Sequence, residues 1–143
     1  MPIKQLSVFL ENKKGRLWKS LNTLKKEDID IRALSIADTS DFGILRMIVS
    51  DPDKAKSVLE SQNFAVSFAD VLAIEVEDQP GGLESALALL NDYDVNVEYI
   101  YAFVEKKTSK ALVVLRTDNN ELSSKLLSDN SFSLIGHDEA YSL

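Results

Sequence analysis

The chain of 143 residues has no cysteine, one histidine, one tryptophan and three prolines. Without cysteine it can form no disulfide, no thiolate metal site and no cysteine nucleophile. The lone His137, beside Asp138 and Glu139, reads as a solvated side chain. A metal site would need carboxylates alone, and none cluster at ligand spacing. No Ser/His/Asp arrangement and no phosphate loop with its lysine is readable. No apolar run approaches the roughly 18 residues of a membrane span. Positive charge is short as well: Lys and Arg number 16 against 23 Asp and Glu, a net charge of −7. Nucleic-acid backbones and anionic membranes need a basic face, so neither is expected as a partner. The basic run Lys13-Lys14-Gly15-Arg16 is too small to be such a footprint. The first residues enter a strand pattern at once, with no apolar signal region, and the expected location is cytoplasmic. These absences point to a protein that is not an enzyme and carries no cofactor or metal.

What the chain does have is a junction that occurs twice. Val71 to Val76 reads as a strand, and Leu83, Leu87 and Leu90 follow at i, i+4 and i+7, one stripe of a helix. Between them lies Glu77-Asp78-Gln79-Pro80-Gly81-Gly82-Leu83. Two glycines let the backbone turn tightly there and leave helix N-terminal amides uncovered. Those amides, at the positive end of the helix dipole, suit a carboxylate or a phosphate. Glu11-Asn12-Lys13-Lys14-Gly15-Arg16-Leu17 has the same layout. It follows the alternating Leu6, Val8 and Leu10 and precedes the stripe Leu17, Leu21 and Leu24.

The rest of the chain repeats too. Ile29 to Ala37 and Ile44 to Val49 read as a hairpin around the turn Asp38 to Asp41. Asp51-Pro52 opens a helix, with Asp as cap and Pro in the first position. Phe64 to Phe68 reads as a closing strand. Adding 66 to Leu17, Leu21 and Leu24 gives Leu83, Leu87 and Leu90, and adding it to Gly15 gives Gly81. After the second hairpin, with its turn at Glu105 to Lys110, the offset is expected to be 67. Asp51 then matches Asp118, Ala55 matches Leu122 and Leu59 matches Leu126. Asp118 and Glu121 have the spacing of a capping box. The chain is read as a duplication, with domains at 1–69 and 70–143.

Each copy runs strand, helix, strand, strand, helix, strand. That order folds into an antiparallel four-stranded sheet with both helices on one face. The fold class is therefore α+β: a ferredoxin-like βαββαβ sandwich, duplicated in tandem. With no flexible linker between Phe68 and Leu72, the copies should pack into one body with a pseudo-two-fold axis and its helices on one side.

This order, the acidic or amide residue three before a Gly-x-Leu, and Asp94-Val95-Asn96-Val97 at the second strand resemble the ACT domain. The resemblance covers essentially the whole chain, twice, and implies a regulatory module that binds free amino acids at a contact between two domains. Carried over, it implies ligand-binding roles for Asn12, Gly15, Arg16 and Leu17 in the first copy. In the second copy it implies them for Asp78, Gly81, Gly82 and Leu83. The polar residue opening the second strand is Asp30 in one copy and Asn96 in the other. Two departures bear on the ligand: Lys14 stands where Pro80 stands, and Leu10 and Val76 are apolar where some members have a polar contact.

An α-amino acid offers a carboxylate to helix amides and an ammonium to a carboxylate or carbonyl. Asn12 with Asp30, and Asp78 with Asn96, would give one negative charge per copy; pairing across the copies is equally compatible. Against this stand plainer roles: turn and capping residues for Asn12 and Asp78, solvated strand ends for Asp30 and Asn96. Arg16 is expected to be solvated more often than ligand-bound. Trp18 is placed on a helix flank or domain contact, and Tyr99, Tyr101 and Phe103 on a buried sheet face. The expected function is a stand-alone sensor for an amino acid or similar metabolite, acting on a partner enzyme of amino-acid metabolism and forming a homodimer. The alternative is a non-catalytic assembly subunit that works by protein contacts alone.

Overall fold

Alternation decides the strands. Leu6, Val8 and Leu10 lie on one face of β1 (Ile3–Glu11) and are buried under helices, as a period of two requires. The computed structural model describes residues 2–38, 41–104 and 110–143. After β1 come α1 (Arg16–Lys26), β2 (Ile31–Asp38), β3 (Phe42–Val49), α2 (Pro52–Ser61) and β4 (Ala65–Glu77). The second copy continues with α3 (Gly82–Asp92), β5 (Val97–Ala102), β6 (Lys110–Thr117), α4 (Asn120–Asp129) and α5 (His137–Ser142). The fold class is the expected α+β one. Of the two hairpin turns read from the sequence, 39–40 and 105–109 lie outside the described residues.

The strands form one six-stranded sheet in the order β2-β3-β1-β4-β6-β5, all neighbours antiparallel. This corrects the expectation of a separate four-stranded sheet in each copy. Phe64 to Phe68 and Val71 to Val76 are not two strands but parts of β4, which has 13 residues. Neither Gly nor Pro interrupts it, and Val66, Phe68, Leu72, Ile74 and Val76 keep one parity, so both halves turn the same face to helices. The first half pairs with β1 and the second with β6. The second copy's closing strand shrinks to a bridge, Ile74 to Leu134, flanked by bonds from Ile135 N to Ala73 O and Glu75 N to Ser133 O.

The apolar faces of α1 and α2 cover one stretch of the sheet, through Leu24, Ala55 and Leu59. Those of α3 and α4 cover the next, through Ala86, Leu90, Leu126 and Leu127. On the opposite face the sheet closes on itself. Ala33 of β2 bridges Phe103 beyond β5, and Val104 N donates to Arg32 O at 2.9 Å, so the first and last strands meet. Inside the curl, Ile3, Ala33, Ile48 and Val71 pack on Ala73, Leu112, Val114 and Ile135. α5, which the sequence reading left without structure, seals this core with Ala140, Tyr141 and Leu143.

The duplication holds, but its second offset is 68 and not 67. Asp51 caps α2 by accepting from Lys54 N at 3.2 Å, and Asn119 caps α4 by accepting from Leu122 N at 3.0 Å. Ala55 and Leu59 then match Ser123 and Leu127, and all four are fully buried. Asp118 is not the cap. Its Oδ1 accepts from Asn96 N at 3.1 Å, just as Ser50 Oγ accepts from Asp30 N at 2.9 Å. Asp118 and Asn119 can both cap a helix; the buried face of α4 decides between them.

Candidate functional site

Both loops are built alike. Gly15 precedes α1 with φ 88°, and Gly81 precedes α3 with φ 84°, a left-handed conformation that favours glycine. Arg16 N bonds Lys13 O and Lys19 N bonds Gly15 O; Gly82 N bonds Gln79 O and Ser85 N bonds Gly81 O. As glycines, the two N-cap residues bring no side chain to cap their helices. The amides of Leu17 and Trp18, and of Leu83 and Glu84, stand in the first turn of each helix, where no carbonyl of the helix itself can reach them. They form the anion-seeking part of each site.

The surroundings of the two loops differ. In the first, Lys13 pairs with Glu11 at 3.0 Å and α1 has no acidic residue in its first turn. The Lys13 ammonium beside Glu11 holds that carboxyl below its ordinary pKa. Arg16 is half-buried. Its guanidinium stacks over the Phe64 ring at 4.4 Å, and its Nε is buried without a hydrogen-bond partner. Leu17 and Trp18 are exposed, Trp18 by 67%. The second loop is acidic. A cavity of about 370 Å³ opens beside it, lined in part by Glu75, Glu77, Gln79, Gly81, Gly82 and Glu84. Lys110 at its rim pairs with Glu77 at 3.5 Å. Gly82 is fixed by space: a Cβ there would run into the Glu77 carbonyl oxygen. Leu83 is partly buried against the core beneath α3.

Asp30 and Asn96 do not join the loop of their own copy. Asn12 N bonds Asp41 O where β3 starts, whereas Asp30 bonds Ser50 just past its end. An eight-residue strand, about 25 Å, separates them. Asp30 is exposed and bound locally, to Ile31 N and to Arg32 Nη1 at 2.9 Å each. Because β2 and β5 run antiparallel at the closure, Asn96 points toward the end that carries the first loop. Asp30 likewise points toward the end that carries Asp78 to Leu83. Within one chain, only the pairing across copies is geometrically open. It gives one end with Asn12 and Asn96, and another with Asp78 and Asp30.

The match to known proteins covers the whole of this architecture. Residues 1–143 match the ACT domain pair family. The chain belongs to that family. A crystal structure of protein BT0572 from Bacteroides thetaiotaomicron is 43% identical with a TM-score of 0.93, covering 100% of this chain and 98% of that one. The ligand-free regulatory subunit of aspartate kinase from Thermus thermophilus has a TM-score of 0.63 at 11% identity, over 90% of this chain and 91% of that one. The corresponding subunit from Thermus flavus has a TM-score of 0.62 at 13% identity, over 90% and 92%. At such identities the aspartate kinase subunits share the fold with this ACT domain pair. No curated protein matches the sequence. An ACT domain pair is a regulatory type of domain. Among the described residues no group of three or more His, Cys, Asp or Glu could hold a metal, and no helix is long and apolar enough to cross a membrane.

One polar cluster escaped sequence reasoning. Gln5 in β1 is fully buried between the copies: its Nε2 donates to Tyr99 Oη at 2.8 Å, and Tyr101 Oη donates to its Oε1 at 2.6 Å. Arg46 stacks on Tyr99, 3.8 Å from the ring centre. Burial pushes the Tyr101 hydroxyl far above its ordinary pKa, with Tyr99 adding to the shift. This polar joint hydrogen-bonds one copy to the other. Gln5 could have been picked out only as a polar residue at an inward position of an apolar strand.

Proposed function

We infer that this ACT domain pair is a regulatory sensor for a free amino acid or a closely related metabolite, with its domains at 1–69 and 70–143. The observation that carries the reading is the pair of glycine-led helix starts at Gly15 and Gly81, built alike in the two copies. Each offers two main-chain donors to a carboxylate. Asp78, Glu77 and Glu84 supply acceptors for an ammonium at the second loop, and Asn12, Gly15, Arg16 and Leu17 shape the first. Leu83, Gly81 and Gly82 complete the second, with Asp30 or Asn96 reaching the loop of the other copy or of a second chain. The protein acts in the cytoplasm as a homodimer and reports to a partner enzyme of amino-acid metabolism. Ligand binding would favour one packing of the copies through the Gln5 joint.

Thermal unfolding against the twenty amino acids tests this. At 100 times its Kd a ligand stabilises the fold by about 2.7 kcal/mol. At about 2–4 °C per kcal/mol, that raises the midpoint by several degrees. A shift from one narrow group of amino acids, lost in an Asp78→Ala, Gly81→Val variant, is the expected result. Silence across the panel from folded protein would overturn the sensor reading in favour of an assembly subunit.

A further inference from the structure

The inner sheet face of the first copy reads as a ladder of cross-strand rows. The row Ala33, Ile48, Gln5 and Ala69 lies in the joint with the second copy. Beyond Ser35, Arg46, Ser7 and Ser67 comes the row Ala37, Ile44, Phe9 and Ala65, with Phe42 one step further. Phe9 and Phe42 stack at 4.8 Å between ring centres, yet they are 46% and 37% exposed. Ala37 and Ala65 are exposed as well.

The duplicated copy is an internal control. Phe9 plus 66 is Glu75, and Phe42 plus 68 is Lys110. The registers agree, since Phe42 faces Glu11 on β1 while Lys110 faces Glu77 on β4. The same fold therefore carries charges at these two positions in one copy and stacked aromatics in the other. Folding does not require the aromatics. The control also shows what covers such a row. In the second copy its counterparts Phe103 and Leu112 are buried in the joint, against Ala33 and Ile48 of the first copy's inner face. The natural cover for this face is the inner face of another ACT unit.

We propose that the Phe9–Phe42 face is the self-association surface of this protein, and that a second copy of the chain covers it. Charge favours that occupant. The chain carries −7, so two copies repel over most of their surface. Among the described residues, the carboxylate that faces Phe42 in the register, Glu11, is paired with Lys13, and Arg46 of the same face is cationic. Two copies meet here without like acidic charges opposed, and a two-fold axis through the patch sets aromatic pair against aromatic pair. Exposed apolar side chains that are contiguous and rimmed by polar ones, here Ser7, Ser35 and Arg46, mark an interaction site.

The proposal rests on the homodimer reading, and the test separates the two. Sedimentation velocity over a wide concentration range is expected to show wild type at twice 15.9 kDa. A Phe9→Glu, Phe42→Lys variant installs the residues that the second copy itself uses. It should sediment at 15.9 kDa, with the circular dichroism and melting midpoint of a folded chain. Ala37→Arg, in the same exposed row, should do the same should the double variant fold poorly. Wild type that is monomeric throughout overturns both the homodimer and the surface. Folded variants that remain dimeric overturn the surface alone.

Discussion

Replacing Gln5 by leucine tests the joint between the copies. Leucine has a similar volume, so packing is largely kept while both hydrogen-bonding ends vanish. Tyr101 Oη loses its acceptor at 2.6 Å and Tyr99 Oη its donor at 2.8 Å. Leaving a buried polar group unsatisfied costs about 1–3 kcal/mol. Tyr101 sits at the upper end of that range, and Tyr99, which Arg46 covers, at the lower, so the sum is about 2–4 kcal/mol. In thermal unfolding that is a drop of about 5–15 °C for a chain of this size. Removing both partners as well, in Gln5→Leu with Tyr99→Phe and Tyr101→Phe, should return most of the stability, because an apolar replacement of the whole cluster leaves nothing unpaired. Urea unfolding of the single, double and triple variants gives the coupling directly. A Gln5→Leu chain as stable as wild type would refute the reasoning. So would a triple variant as unstable as the single one.

The same joint sets an alkaline limit. The raised pKa of Tyr101 means that the folded state keeps its proton after the unfolded chain has lost it. Stability is full below about pH 10 and falls above it, by up to about 1.4 kcal/mol per pH unit from this one group. Tyr101→Phe should flatten the alkaline limb of a urea-midpoint profile, and an unchanged limb would count against the burial. At α4, Asn119→Ala should cost about 1 kcal/mol as a lost cap. Asp118→Ala, which removes an exposed strand-end bond, should cost less in the same unfolding assay. At the second loop, Gly82→Ala should destabilise by about 1–3 kcal/mol through its collision with the Glu77 carbonyl. Gly15→Ala meets no neighbour, and its cost, about 1–2 kcal/mol, comes from the left-handed backbone alone.

Much of the fold was legible because the leucine stripes and the alternating strands are strongly periodic, and both occur twice. Leu17, Leu21 and Leu24 against Leu83, Leu87 and Leu90 mark the duplication in the sequence itself. The failures came where the sequence holds two answers of equal local merit. Asp118 and Asn119 cap equally well, so the offset could slip by one, and only the burial of Ser123 and Leu127 resolves it. Phe64 to Phe68 and Val71 to Val76 read as two strands, but no Gly or Pro between them breaks the one strand they form. The curl of the sheet depends on a contact between Ala33 and Phe103, 70 residues apart, which no local pattern encodes. The loops were visible through Gly15 and Gly81. The split of Asn12 from Asp30 was not, since strand length, and not spacing in sequence, sets that distance.

The central claim is that the helix starts behind Gly15 and Gly81 receive an amino acid's carboxylate. The most direct test follows the backbone amide resonances of isotope-labelled protein while the amino acid found by thermal unfolding is titrated in. Saturable shifts concentrated at Gly15 to Trp18 and Gly81 to Glu84 are expected, with the Gln5 and Tyr101 signals following as the copies adjust. Shifts confined to other surfaces, with both loops silent at saturation, would contradict the claim.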